Sequence, residues 1–308
     1  MDNTYPSRIN FRRQTMRDHP RETLAANHSA IPAVEELYNW LSSAYLPTRF
    51  PTIFKHGNSS IYCTTTKESF PSSLSSLTPP SDDDPTARAV EALKTLSSFI
   101  DTEFLILLPS RTAPGQVDAT YTLQAYAVCT PSGFSTRAKL NLPLAAIHGP
   151  VPGYGTKLEK SMDRYFARLE CGKWVQRANW TVQTHSRIFC PPDEESGHGN
   201  HWKPGDGVPG ADEGAGVAPE ECYLRAERQV LFRMPATGAV VFAFKTYLYP
   251  MREVKVEGRE MAEGLADAIE GMRKGSVPAV WMYKRGFEWG EAVCRYLREG
   301  WEKGGVVS

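Results

Sequence analysis

The segment YLRAERQVLFRMPATGAVVFAFKTYLY, residues 223–249, constrains the fold of this 308-residue chain more than any other. Its first part alternates polar and apolar positions, and its last part is rich in β-branched and aromatic residues. Pro235, Ala236, Thr237 and Gly238 between them have turn composition. The pattern predicts two antiparallel strands joined as a hairpin. A second alternating run, WVQRANWTVQ at 174–183, puts Trp174, Gln176, Ala178, Trp180 and Val182 on one face. Val175, Arg177, Asn179, Thr181 and Gln183 share the other. YTLQAYAV, 121–128, reads as a further strand.

Helical periodicity surrounds these strands. Pro32 opens AVEELYNWLSSAYL, with Val34, Leu37, Leu41 and Tyr45 at helical spacing, and PTRFPTIF after it reads as extended and proline-stepped. Residues 69–85 read as a loop whose Asp82, Asp83 and Asp84 are placed to cap one helix over 87–108. The same aspartates lack the spaced oxygen ligands of a calcium loop. Thr156 and Glu159 have capping-box spacing ahead of a stripe formed by Leu158, Met162, Phe166 and Leu169, and Gly172 ends that helix. Amphipathic helices follow at 257–273 and 288–302. Residues 1–29 read as a flexible polar arm, and the Gly/Pro/Asp/Glu-rich stretch 191–219 as a surface insertion, so that deleting 195–215 is expected to leave ligand binding intact. The fold class is α+β: an antiparallel sheet with flanking helices in a single domain over 30–308.

Charge and cysteine usage exclude several function classes. Thirty-five basic residues balance thirty-five acidic ones, so there is no electrostatic footprint for nucleic acid. No apolar run is long enough for a membrane span. None of the six cysteines forms a C-x-x-C pair, and no signal peptide is evident, which reads as reduced thiols in the cytoplasm. Arg8, Arg12, Arg13, Arg17 and Arg21 have the spacing of a transit peptide, but Asp2, Asp18 and Glu22 argue against one. Phosphate-loop, dinucleotide-fold and serine-elbow motifs are absent.

Two stretches concentrate chemistry. In LAAIHGPVPGYG, His148 follows an apolar run and precedes Gly149, Pro150 and Pro152. The prolines stiffen the backbone and the glycine admits a bulky neighbour, which suits an imidazole that must be aimed at a ligand. A buried histidine satisfied by backbone groups fits the same residues. On the strand 223–234, Arg225, Glu227, Gln229 and Arg233 point one way. Arg228 lies with Ala226 and Val230 on the other face, as a buried or ligand-facing cation that needs a carboxylate. Arg177 and Asn179 are comparable candidates on the neighbouring strand. His198 and His201 lie in the insertion without a second ligand pair, which disfavours zinc.

Five pieces occur in a recognisable order: AVEELYNWLSSAYLPTRFPTIF, LPLAAIHGPVPGYGTKLEKSMDRYFARL, VQRANWTV, YLRAERQVLFRMPATGAVVFAFKTYLYPM and PAVWMYKRGFEW. With their IH-x-PVP, R-x-NW and ER-Q elements, they resemble the haem-dependent oxidative N-demethylase-like family, the first piece being similar to its fungal branch. The resemblance implies a PAS-like sheet holding haem b, with His148 on the iron. Arg177, Asn179 and Arg228, read from the strand pattern, are then the further cofactor-binding candidates, with haem propionates or a nearby Asp or Glu as the charge that Arg228 needs. It implies a monooxygenase that oxidises a small methylated amine of the dimethylamine type to formaldehyde and the demethylated amine. Dioxygen is the oxidant, and NADPH electrons arrive through a flavin and an iron–sulfur module. The scattered cysteines here do not have ferredoxin spacing, so a separate reductase would be the partner. Glu227, Arg225 and Gln229 are the candidates for catalytic polarity opposite His148, with Glu227 pairing an alkylammonium. A non-catalytic haem-binding sensor or carrier, and an interaction protein without haem, are the alternative readings.

Overall fold

The computed structural model describes residues 2–78, 84–110, 120–192, 201–202 and 217–301. Its strands are β1 (Leu24–Ala26), β2 (Phe54–His56), β3 (Ser60–Cys63), β4 (Glu68–Pro71), β5 (Glu103–Pro109), β6 (Tyr121–Ala127), β7 (Trp174–Gln183), β8 (Tyr223–Arg233) and β9 (Val240–Pro250). Six of them form an antiparallel sheet in the order β1-β6-β5-β9-β8-β7, and β2-β3-β4 form a second, smaller sheet. The hairpin pairs in register from Arg233 opposite Val240 to Tyr223 opposite Pro250. Strand β7 pairs with β8 from Trp174 opposite Phe232 to Gln183 opposite Tyr223. The fold is the expected mixture of an antiparallel sheet and flanking helices.

Alternation along the strands divides the apolar side chains between two cores. Phe104, Ile106, Ala125, Ala127, Val241, Ala243 and Phe232 face a core shared with the helices Tyr5–Asp18, Ile31–Trp40 and Ala87–Phe99 and with the small sheet. Leu107, Leu123, Leu231, Val240 and Phe244 face the opposite way and pack on Leu144, Phe166 and Leu169. The helices Met251–Val256, Arg259–Lys274, Ala279–Tyr283 and Gly286–Arg298 gather a third core around Trp289 and Val293, which Val182 joins from the end of β7.

The first 29 residues depart from the expected loose arm. Tyr5–Asp18 is a helix, with Tyr5, Ile9, Arg12, Thr15 and Met16 buried. Its arginines are anchors: Arg8 pairs with Asp101 at 3.1 Å, Arg13 pairs with Glu68, and fully buried Arg12 pairs with Glu103. A buried stripe containing an arginine and a threonine looks polar in sequence, which hides it. Leu24–Ala26 then adds the edge strand β1 against β6.

Other expectations shift locally. The single helix over 87–108 ends at Phe99, and the run after it is the buried strand β5. An apolar run such as FLILL has no periodicity that separates strand from helix. Asp84 accepts from the backbone N–H and hydroxyl of Thr86 just before that helix, whereas Asp82 and Asp83 lie outside the described residues. Residues 46–49 form a helical turn with Pro47 in its first turn, not an extended segment. The Thr156–Glu159 capping box does not form: the Thr156 hydroxyl donates to the Gly153 carbonyl at 3.4 Å, and Tyr154–Leu158 is a π-turn. Leu158 is consequently exposed rather than part of the stripe.

Candidate functional site

On β8, alternation turns Arg225, Glu227, Gln229 and Leu231 to one face, and the register places Asn179 beside Glu227 and Arg177 beside Gln229. Leu231 closes into the core under Leu144, while the polar residues beyond it floor a basin. The basin floor is a hydrogen-bonded ladder. The Arg177 guanidinium donates to Gln229 Oε1, and Gln229 Nε2 donates to Glu227 Oε2 at 2.8 Å. Asn179 Nδ2 donates to the same carboxylate oxygen at 3.4 Å. Each amide is used in one orientation only, so the ladder fixes where the Glu227 carboxylate sits.

Arg225 lies deeper, 1% exposed. Its Nη2 donates to the carbonyls of Thr130 and Pro131 at 2.7 and 3.4 Å. Its Nη1 donates to the Ile188 carbonyl at 3.1 Å and to Gln183 Oε1 at 3.4 Å. Arg225 therefore bolts the 130–131 and 188 segments beneath the basin, and only its Nε lacks a partner among the described residues. Arg228 is on the other face and exposed, donating to Gln176 Oε1 at 3.3 Å. It is not the buried cation expected: it lies on the face expected, but that face is open to solvent there, and Gln176 beside it is exposed as well. Arg233, grouped with the site by the same alternation, instead clamps the end of the helix Glu159–Arg168 through the carbonyls of Phe166 and Leu169.

His148 ends the short helix Leu144–His148 and is half-buried over the same side of the sheet. Its Nδ1 lies 2.9 Å from the Leu144 carbonyl. A carbonyl only accepts, so Nδ1 carries the proton and Nε2 keeps a free lone pair. Burial holds the imidazole pKa below its ordinary value despite that hydrogen bond, and the charges of Lys139 and Arg177 push the same way. The ring is thus a neutral, oriented donor. It stacks on Tyr154 at 4.8 Å between centroids and 14° between planes.

After His148 the chain turns through Gly149–Gly153. Gly153 has φ +76°, and a Cβ there would meet Val277 at 3.1 Å, so this turn requires glycine. The loop Gly149–Thr156 forms one wall of a cleft of about 420 Å³, and Trp202, Met282 and Tyr283 form the other. The Tyr154 hydroxyl and the Trp202 indole N–H are buried and have no partner among the described residues. Two orphaned donors in one cleft are what a bound polar group would satisfy.

Several residues around the basin were not singled out in the sequence. Lys139, Tyr283 and Lys284 stand within electrostatic reach of Glu227. Burial pushes both lysines down to about 8 and Tyr283 up to about 12. Tyr283 and Lys284 belong to the segment PAVWMYKRGFEW, but nothing in their spacing gives them a task. His201 stacks on Tyr283 at 4.4 Å, and the Trp202 backbone N–H donates to the Tyr283 carbonyl at 2.9 Å. Between the two ends of the stretch read as a surface insertion, these two residues are the described part; His198 and the rest of 193–200 and 203–216 lie outside the described residues. Burial lowers the His201 pKa to about 3, so it is a neutral packing residue.

A family model described as haem-dependent oxidative N-demethylase, alpha subunit-like, matches residues 1–294. The chain belongs to this family. The residues fit a haem: His148 offers one oriented neutral nitrogen, the cleft beside it is walled by Val151, Pro152, Tyr154 and Met282, and basic side chains line the basin. A single side chain suffices as the protein ligand of a haem, so a cluster of several ligating residues is not required.

Proposed function

We propose that this N-demethylase-like protein binds haem b through Nε2 of His148 and oxidatively removes a methyl group from a small methylated amine of the dimethylamine type. The observation that carries the reading is His148 itself: Nδ1 held by the Leu144 carbonyl, Nε2 free, on the sheet face that carries Glu227. When bound, haem supplies the oxidising chemistry with dioxygen, two electrons and two protons, one oxygen leaving in formaldehyde and the other in water. The order β6-β5-β9-β8-β7, two outer hairpins joined by the last strand, supports a PAS-like sheet.

The chain's own residues do the rest. Glu227, held by Gln229 and Asn179, balances the charge of an alkylammonium or accepts its proton at Oε2. Gln229 passes the orientation of Arg177 to that carboxylate. Arg225 positions the floor through backbone carbonyls and does not reach the cleft through Nη1 or Nη2. The Gly149–Thr156 loop and Trp202 restrict water. Electrons come from NADPH through a separate flavin/iron–sulfur reductase, and the six free thiols support a reducing, cytoplasmic setting.

The test is the absorption spectrum of protein made in haem-supplemented cells, before and after dithionite, followed by formaldehyde release from methylated amines. A Soret band that shifts on reduction and is lost in His148→Ala is the expected result. A normal haem spectrum in His148→Ala would remove His148 from the iron. Haem without formaldehyde, given a competent reductase, would leave a sensor or carrier.

A further inference from the structure

The basin has an excess of positive charge. Lys139, Lys284, Arg177 and Arg225 surround one carboxylate, Glu227, the only acidic group among the described residues whose charge supports either lysine. That carboxylate is already committed to Gln229 and Asn179. Lys139 makes no ion pair or hydrogen bond among the described residues; its ammonium sits 3.9 Å above the Phe134 ring. Among the described residues Lys284 donates only to the Trp180 carbonyl, and it lies 5.0 Å from the centre of the Trp180 ring. Ammonium groups sheltered from water without an anion are costly, and both carry the lowered pKa that this cost produces. Elsewhere in the chain the sheltered cations Arg8, Arg12 and Lys245 have carboxylate partners. Buried Arg225 has no carboxylate either, but four carbonyl and amide oxygens satisfy its guanidinium. The two basin lysines have neither a carboxylate nor such a set of acceptors, and a ligand bearing carboxylates would complete them.

We propose that Lys139 and Lys284 form a carboxylate-binding pair beside Glu227, and that the carboxylates they hold are the propionates of the haem. The assignment rests on the haem reading above. It replaces Arg228, which faces away, as the propionate partner. It also explains how Glu227 serves a cationic amine in a basic basin: with the lysines neutralised by propionates, Glu227 remains as the local negative charge.

The test titrates the full-length apo-protein with ferric haem and with its dimethyl ester, followed by the Soret band and by tryptophan quenching. A charge-assisted hydrogen bond contributes enough that the wild type should bind the ester at least about tenfold more weakly. In Lys139→Met/Lys284→Met, haem affinity should fall to that of the ester, with ester affinity unchanged; Lys139→Arg/Lys284→Arg should restore part of the discrimination. Equal affinity of the wild type for haem and ester overturns the proposal and needs no variant. Undiminished discrimination in the double Met variant overturns it as well. A wild type that binds neither compound removes the haem reading together with this one. The other source of a carboxylate is an N-methylated amino acid. If haem and ester bind alike while N-methylglycine raises the melting temperature of wild type and not of the double Met variant, the lysines hold a substrate carboxylate and the propionate assignment is wrong.

Discussion

Glu227 is where charge, hydrogen bonding and chemistry meet. Its carboxylate is held by two amide donors, so Glu227→Gln keeps the volume and removes the charge. Haem binding should survive this change, while kcat/KM for a methylated amine falls about 30-fold or more, the cost of unpairing a sheltered charge, about 2 kcal/mol or above. Haem titration beside steady-state formaldehyde release checks it; unchanged turnover would mean that the amine is bound elsewhere. Arg225→Lys should act differently. One ammonium cannot replace donors spread over Thr130, Pro131, Ile188 and Gln183. Its expected signature is a lower melting temperature with kcat and KM changing together, because the floor as a whole shifts. The ladder of Arg177, Asn179, Glu227 and Gln229 was legible in the sequence because a strand period of two puts alternate residues on one face. Lys139 and Lys284 were not, because they reach the basin from a short helical turn and from a loop far along the chain. Only the fold brings them together.

At the scale of elements, the N-terminal helix matters beyond its length. Arg12 donates to the carbonyls of Ser97 and Thr102 and pairs with Glu103, which also accepts from the Cys129 N–H and the Thr130 hydroxyl. Thr130 in turn offers its carbonyl to Arg225. The helix is therefore connected by polar groups to the floor of the basin. Arg12→Met leaves a buried carboxylate without its counter-charge and should cost about 3–5 kcal/mol. Adding Glu103→Gln should recover part of that loss, since the Gln oxygen still accepts from Cys129. Urea unfolding of the two variants checks the pattern, and equal losses in both would show that the pair's charge is irrelevant. The sequence concealed this helix because Arg12 and Thr15 interrupt its buried stripe with polar side chains. Strands β2, β3 and β4 were also illegible: at three or four residues each, they are too short to display a period. The long strands β7 and β8 are legible to within a residue because ten or eleven positions repeat the alternation, and β9 because its long run is rich in β-branched and aromatic residues.

For the whole molecule, a net charge of zero conceals a basin that holds cations against their own preference. Folding lowers the pKa of Lys139 and Lys284 from 10.5 to about 8, so the native state binds their protons less tightly than the unfolded chain does. Below about 8 each lysine is charged in both states and lowers the stability of the apo-protein. As the pH rises from about 8 to 10.5 that penalty disappears. Lys139→Met should then raise the melting temperature of the apo-protein at pH 7, and its advantage over wild type should shrink as the pH approaches 10. The comparison must be between variant and wild type. Above pH 9 the buried thiols of Cys129, Cys222 and Cys294, with pKa values raised to between about 11 and about 12, pull total stability down in both proteins. On the acid side, His201 drops from 6.5 to about 3 on folding, so its contribution is complete above 6.5 and is lost as the pH falls toward 3. His201→Gln should flatten that limb. Loading with haem adds the decisive contrast: propionates would make the Lys139 charge favourable, so Lys139→Met should stabilise the apo-protein and destabilise the haem complex. A variant that stabilises both forms equally would mean that Lys139 never meets the cofactor.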